Sequence, residues 1–266
     1  MAENAPLSRD ALIEAMSKGI KPKDQWRIGA EHEKFGFDKI TLARPAYEGP
    51  NGIKAMLEGL ERFGWSRVEE NGVLIGLERR NAEGFVFSVK ASRYCTNRKV
   101  LSEGAESFDR FLSQGLTELG DKLGPINWQF MGTKTFDPED FEGFLKLLPQ
   151  EKDGVRLRHA LEVRNPTFAT EQFRDLARAY GAAIVYAVDD EEPKWPRIDE
   201  ATADFRYARL MSSREDEPTG MTGAELDAIA EQTQGWARDG EVFAYFISGA
   251  KVRNPAAAQA LIAKLK

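Results

Sequence analysis

From residue 84 to the end of the chain, short apolar segments alternate with segments whose apolar residues recur at helical spacing. Several of the short segments are apolar nearly throughout, as strands covered on both faces of a sheet are. Strands that alternate with helices in this way indicate a parallel sheet with helices outside it. The predicted strands are 84–92, 124–130, 159–163, 182–190, 204–212 and 242–249.

This alternation predicts an α/β fold, and a chain of 266 residues has the length of a TIM-barrel-like (β/α) barrel. A full barrel needs two more strands, which an N-terminal segment supplies if 26–31 and 68–77 are extended. If these two segments are not extended, the barrel is irregular or incomplete. Helices are predicted at 103–122, at 137–149 with Asp137 as N-cap, and at 170–180, 222–239 and 254–264.

The N-terminal third has a different pattern. A short amphipathic helix is predicted at 8–19, a helix within 47–65, and a β-hairpin around Asn71-Gly72, since this pair between apolar runs favours a tight turn. In the segment 26–37, WRIGAEHEKFGF, an extended chain places Glu31 and Glu33 on the same face. Paired carboxylates can hold a divalent cation, so these two are candidate metal ligands; the alternative is that both face solvent.

Composition excludes several classes of function. The net charge of -6 argues against a dedicated nucleic-acid binder, which needs clustered Lys and Arg. The single cysteine, Cys95, excludes an intrachain disulfide, and two histidines are too few for a histidine-rich metal site. No secretory signal pattern and no apolar run of membrane-spanning length is present, so we expect a soluble cytoplasmic protein. The sequence identifies no cofactor.

Polar residues mark the carboxyl ends of the predicted strands, where barrel proteins carry their functional groups. Lys90 and Glu162 are the candidate catalytic residues, because a carboxylate and an amine can exchange protons when their pKa values are shifted. The candidate binding residues are Gln129, Arg164, Asp189 and Arg209. Basic groups combined with carboxylates and an amide suit an anionic small molecule such as a phosphate or a carboxylate.

Each candidate also has a structural interpretation. Glu162 and Arg164 are two residues apart and leave an extended chain on the same side, so they can form a structural ion pair. Asp189 precedes three further acidic residues and can belong to a solvated loop. The sequence leaves these alternatives open.

Five segments between residues 83 and 265 carry a family resemblance: GFVFSVKASRY, FLSQGLTELGDKLGPINWQF, RHALEVRNPTF, TADFRYARLMS and VFAYFISGAKVRNPAAAQALI. In this order they resemble the YecE-like family (domain of unknown function 72). The resemblance implies a TIM-barrel-type region over 81–266 with the Glu162/Arg164 pair in its polar cluster. It names no substrate. The chain departs from the family pattern at Asn97 and Met211, where histidines are common, and at the end of the last strand.

The segments WRIGAEHEKFGF, YEGPNGI and RFGWSRVEENGVLIGL, within 24–79, resemble the start of plant and proteobacterial glutamate–cysteine ligases. The resemblance implies a ligase-like segment over 1–80, with Glu31 and Glu33 as the family's ExE motif in a site for glutamate, Mg²⁺ and ATP. The Glu-Pro-Gly-Gly-Gln type segment of such ligases does not follow. The chain is therefore interpreted as chimeric, either a natural fusion or an artificial one.

Three hypotheses of function follow. The first is a barrel protein that binds or hydrolyses an anionic small molecule at the carboxyl rim. The second is a non-catalytic interaction module with a protein partner. The third is a ligase fragment, for which about eighty residues provide too few groups to hold a nucleotide and its metals.

Overall fold

A computed structural model describes residues 8, 13–14, 41, 43–78, 84–189, 195–247 and 249–266. The chain divides into two compact units, Met1–Ala82 and Glu83–Lys266. The predicted extended segment 26–37, with Glu31 and Glu33, lies outside the described residues, as does most of the predicted helix 8–19. Among the described residues, no helix has both the length and the apolar character needed to cross a bilayer.

In the first unit, helix α1 (Ile53–Glu61) precedes strands β1 (Ser66–Glu70) and β2 (Val73–Glu78). Asn71 and Gly72 both have positive φ, 51° and 78°, as a type I′ turn requires, and the two strands pair antiparallel. The hairpin prediction is confirmed. The prediction that 68–77 supplies strands to the parallel sheet is wrong, because this turn pairs the segment with itself in a separate two-stranded sheet.

The second unit contains the predicted alternation. Its strands are β3 (Phe87–Lys90), β4 (Leu123–Gln129), β5 (Glu151–Lys152), β6 (Val155–Arg156), β7 (His159–Glu162), β8 (Ala183–Val188), β9 (Phe205–Leu210) and β10 (Glu241–Phe246). Its α-helices are α2 (Arg93–Thr96), α3 (Ala105–Leu112), α4 (Pro138–Leu145), α5 (Glu171–Ala179), α6 (Gly223–Trp236) and α7 (Asn254–Leu265). Short 3₁₀ segments cover Leu116–Lys122 and Pro166–Phe168.

Six of these strands form one sheet in the order β10-β9-β8-β7-β4-β3, and every neighbouring pair is parallel. The prediction of an α/β fold with a parallel sheet is confirmed. The hydroxyls of Ser88 on β3 and Tyr207 on β9 are hydrogen-bonded at 2.8 Å, although three strands separate β3 from β9 in the sheet. The sheet is therefore curled and barrel-like, while its closure into a barrel stays a prediction.

The two faces of the curled sheet have different partners. Residues such as Ile126, Trp128 and Leu161 point outward into a large cluster with the helices, where Trp128 stacks on Phe108 at 4.9 Å between ring centroids. The alternate residues point inward. The buried inner cluster consists of Ala160, Ala183, Val185, Phe205, Tyr207 and Phe243. This period of two leaves the last inward residue of each strand at the carboxyl edge of the sheet.

Local signals account for the helix ends. The Asp137 carboxylate accepts hydrogen bonds from the amides of Glu139 and Asp140, which confirms the predicted N-cap. The single helix predicted over 103–122 is wrong. Helix α3 ends at Leu112, and Gly115 adopts the left-handed conformation with φ 85° before the 3₁₀ segment begins.

His159 belongs to the core rather than to a site. Its Nδ1 accepts a hydrogen bond from Trp128 Nε1 at 3.1 Å, and its Nε2 donates to the Pro149 carbonyl at 2.8 Å. Burial lowers the pKa of His159 to about 4, with the hydrogen bond to Pro149 opposing the shift. The imidazole is neutral in the folded protein, and each of its two ring nitrogens has a hydrogen-bond partner.

We predict that His159 makes folding pH-dependent between pH 6.5 and 4. In this window the unfolded imidazole binds a proton and the folded one does not, so stability is full above pH 6.5 and falls by up to ~1.4 kcal/mol per pH unit below it. Urea unfolding at pH 7.5 and pH 5 should show a smaller drop for His159→Gln than for the wild type. Equal drops would contradict this account.

Candidate functional site

Glu162, the last residue of β7, lies at the carboxyl edge of the sheet with only 1% of its side chain exposed. Its carboxylate accepts hydrogen bonds from Asn127 Nδ2 and Gln129 Nε2, each at 2.9 Å. Arg164 donates to Oε1 from Nη2 at 2.7 Å and from Nε at 3.1 Å, and Arg209 Nη1 donates to Oε2. We call Asn127, Gln129, Glu162, Arg164 and Arg209 the Glu162 cluster.

Parallel pairing explains why these side chains meet. Gln129 on β4 lies directly beside Glu162 on β7, and Asn127, two residues earlier on the same face, lies beside Ala160. Arg209 comes from β9, which is separated from β7 by β8. On β8, Ala183 lies beside Ala160 of β7, and Ala187 lies beside Arg209 of β9. Because these alanines are small, the long side chain of Arg209 can reach across β8 on the curled inner face.

The electrostatics of the cluster favour an ionised carboxylate. Burial alone would raise the pKa of Glu162, but the charge of Arg209 and the hydrogen bonds from Asn127, Arg209 and Gln129 outweigh it, and the pKa lies below its ordinary value. The side chains of Arg164 and Arg209 are 24% and 16% exposed, so both are partly accessible to solvent while they bind Glu162. Arg164 also stacks on the Trp195 ring, with its Cζ 4.3 Å from the centroid.

Lys90 ends β3 and has an exposed side chain. Its Nζ is 3.5 Å from Gln129 Oε1, which places the ammonium beside the Glu162 cluster. Within the part of the chain that the structure describes, Lys90 forms no ion pair with a carboxylate. Three cations, Lys90, Arg164 and Arg209, therefore lie around the carboxylate of Glu162, an arrangement that suits an anionic ligand.

The structure brings together five of the six residues predicted for the rim: Lys90, Gln129, Glu162, Arg164 and Arg209. Asp189 follows β8 at the same edge, where its carbonyl accepts a hydrogen bond from Ser212 Oγ at 2.7 Å. With 8% of its surface exposed, Asp189 is buried, so its interpretation as part of a solvated loop is wrong.

The candidate metal ligands Glu31 and Glu33 lie outside the described residues. No group of three or more His, Cys, Asp or Glu side chains among the described residues is arranged to hold a metal ion. The catalytic roles predicted for Lys90 and Glu162, and the metal role predicted for Glu31 and Glu33, stay predictions.

Sequence reasoning missed three residues of the site. Asn127 and Tyr207 lie two positions before Gln129 and Arg209, so the period of two along a strand already placed them on the inner face. Asn127 is 4% exposed, and its Oδ1 has no hydrogen-bond partner among the residues that the structure describes. Burial raises the pKa of Tyr207 to about 12, so its phenol stays protonated. Trp195 lies in a loop, and no local pattern signals its stacking on Arg164.

Comparison with known proteins gives separate results for the two parts of the chain. About 75 residues of the N-terminal part are similar to plant ligases: the chain is 44% identical over 75 residues to glutamate–cysteine ligase A, chloroplastic, of Oryza sativa subsp. japonica. It is 45% identical over 75 residues to the chloroplastic enzyme of Medicago truncatula. These matches cover 28% of this chain but only 15% and 14% of the ligases.

Solved structures share the fold over most of the chain. A DUF72 family protein of Thermotoga maritima matches with a TM-score of 0.53 and 19% identity, over 82% of this chain and 80% of the other. A DUF72 family protein of Enterococcus faecalis matches with a TM-score of 0.53 and 16% identity, over 69% and 78%. At these identities the likeness shows the fold alone.

The family model described as "Protein of unknown function DUF72" matches residues 70–266. This match covers most of the chain and all strands of the curled sheet. It also confirms the YecE-like resemblance found in the sequence. The chain therefore belongs to the DUF72 family.

Proposed function

We propose that this protein binds an anionic small molecule at the Glu162 cluster. The observation that carries the proposal is a buried carboxylate that holds two guanidiniums at one edge of the sheet, beside a third cation without a carboxylate partner in the described chain. The proposal takes the curled sheet as the larger part of a TIM-barrel-type fold, in which the carboxyl edge carries the functional groups.

Glu162 would act in this site as a positioning residue. Ordering two arginine side chains costs conformational entropy. Because their hydrogen bonds to Glu162 already order them in the free protein, a ligand loses less free energy on binding. Each planar guanidinium then has donors left for a carboxylate or phosphate. A carboxylate with a lowered pKa and four donor residues is poorly suited to exchange protons, so proton transfer in any hydrolysis would fall to Lys90.

We also propose that 1–80 and 81–266 have separate origins and that the chain is chimeric. The ligase similarity and the family match have different extents, and the ligase similarity is limited to a small share of those enzymes. Separate expression of both segments tests this directly. Independent cooperative unfolding of 81–266 is expected, and its failure to fold alone would contradict the proposal.

Lys90 provides the clearest test of binding because its side chain is exposed and, within the described chain, makes one long hydrogen bond. A panel of small carboxylates and phosphate monoesters should contain a compound that raises the melting temperature of the wild type. For that compound we expect Lys90→Gln to raise the Kd about 10-fold, equivalent to ~1.4 kcal/mol, with the melting temperature of the free protein unchanged.

The matched control is Lys122→Gln, which removes an exposed lysine just before β4, at the opposite edge of the sheet. Its Kd should stay within about two-fold of the wild type, since exposed charges beyond the Debye length are screened. Equal losses in both variants, or no stabilising compound in the panel, would reject the proposal. The second result would favour the interaction-module hypothesis.

Glu162→Gln tests the positioning role through stability. Removing one charge from a buried ion-pair network leaves the arginines uncompensated, and we expect a loss of about 3 kcal/mol at pH 7 in urea unfolding. Because the folded pKa is lowered, the carboxylate stabilises the fold fully above pH 4.5, and this contribution is lost as the pH falls toward the folded pKa. The gap between variant and wild type should therefore narrow below pH 4.5.

The control for this measurement is Glu106→Gln. Glu106 pairs with Arg110 at 2.8 Å on the surface of α3, with side chains 87% and 76% exposed, and we expect a change below about 0.5 kcal/mol. A Glu162→Gln variant as stable as this control would show that the carboxylate does not organise the arginines.

A further inference from the structure

A second basic surface lies on the loops that follow β3 and β4. It is an open groove with a volume of about 390 Å³. Three cations and three threonines contribute to its lining: Thr96, Arg98, Lys99, Thr133, Lys134 and Thr135. We call it the Arg98 groove, and it shares none of its residues with the Glu162 cluster.

One of the three cations is already neutralised. Lys134 Nζ donates to Asp140 Oδ2 and to the Lys99 carbonyl, both at 2.8 Å. Burial would raise the pKa of Asp140, but hydrogen bonds from Lys134 and from the backbone of Leu101 and Ser102 hold it below its ordinary value, so the pair is fully ionised. Lys134 therefore ties the two loops together and fixes the shape of the groove.

The other two cations have no such partner. Arg98 Nη1 donates to Ser107 Oγ at 3.0 Å, which orients the guanidinium and leaves most of its donors without a partner among the described residues. In the described residues neither Arg98 nor Lys99 forms an ion pair with a carboxylate. The hydroxyls of Thr133 and Thr135 likewise have no hydrogen-bond partner among those residues, so both can donate to a ligand.

This set of groups matches one chemical class. Residues with a guanidinium, an ammonium and two hydroxyl groups line a single groove, and such donors bind tetrahedral oxyanions with several acceptor oxygens. The volume is that of a small-molecule site, and a net charge of -6 disfavours a polyanion as long as a nucleic acid. We propose that the Arg98 groove is a binding site for the phosphoryl group of a small molecule.

The experiment is calorimetric titration of the full chain at constant ionic strength, with inorganic pyrophosphate and glycerol 3-phosphate as probes. The test variant is Arg98→Gln/Lys99→Gln, and the control Lys122→Gln/Arg238→Gln removes the same charges from exposed positions just before β4 and β10. We expect the test variant to weaken binding of at least one probe about 10-fold or more, and the control to change it less than about two-fold.

A second variant protects the test against misfolding. Lys99→Glu alters an exposed side chain that makes no described hydrogen bond, so the fold should persist while phosphate binding is lost. Binding of glycerol 3-phosphate as well as pyrophosphate supports a phosphate monoester as the ligand, whereas binding of pyrophosphate alone supports a diphosphate group.

Several results would overturn the inference. The first is that the wild type binds neither probe, and the second is that the test and control variants lose affinity equally. The third is that a short oligouridylate binds more tightly than both probes and loses affinity in the groove variants. Loss of phosphate binding in Lys90→Gln but not in the groove variants would move the phosphate to the Glu162 cluster. That last result would reject the groove and support the proposed function.

Discussion

The site depends on one buried carboxylate. Glu162 is almost fully removed from solvent, and a charge in that position is tolerated only because two guanidiniums and two amides surround it. The same bonds hold the arginines still. The buried carboxylate thus fixes the positions of the Arg164 and Arg209 side chains. The exposed Lys90 adds a third positive charge at the same edge of the sheet.

The fold supplies this arrangement through two simple regularities. All six strands are parallel, so their ends meet at one edge, and side chains alternate between the helices and the inner face. Curling then brings distant strands within reach of each other, as the hydrogen bond between Ser88 and Tyr207 shows. Small residues such as Ala160 and Ala187 leave room on the inner face for the long side chains beside them.

Much of the fold and part of the site could be predicted from the sequence, because the spacing of apolar residues and the capping residues of helices are local properties. The six strands, the Asn71-Gly72 turn and the Glu162/Arg164 pair follow from neighbouring residues alone. The contact between Arg209 and Glu162 could not, because it depends on how far the sheet curls. The separate sheet that the hairpin forms could not be predicted either. The two strands of the hairpin pair with each other. A local sequence pattern predicts that a segment is extended but does not tell which strand it pairs with.

The central claim is that Glu162 and the arginines act as a unit, and a double-mutant cycle tests it most directly. Urea unfolding of the wild type, Glu162→Gln, Arg209→Gln and the double variant gives the coupling free energy between the two side chains. We predict a coupling of about 2 kcal/mol or more, because each single variant leaves a buried partner without its counter-charge. A coupling near zero, with the two losses simply additive, would contradict the account.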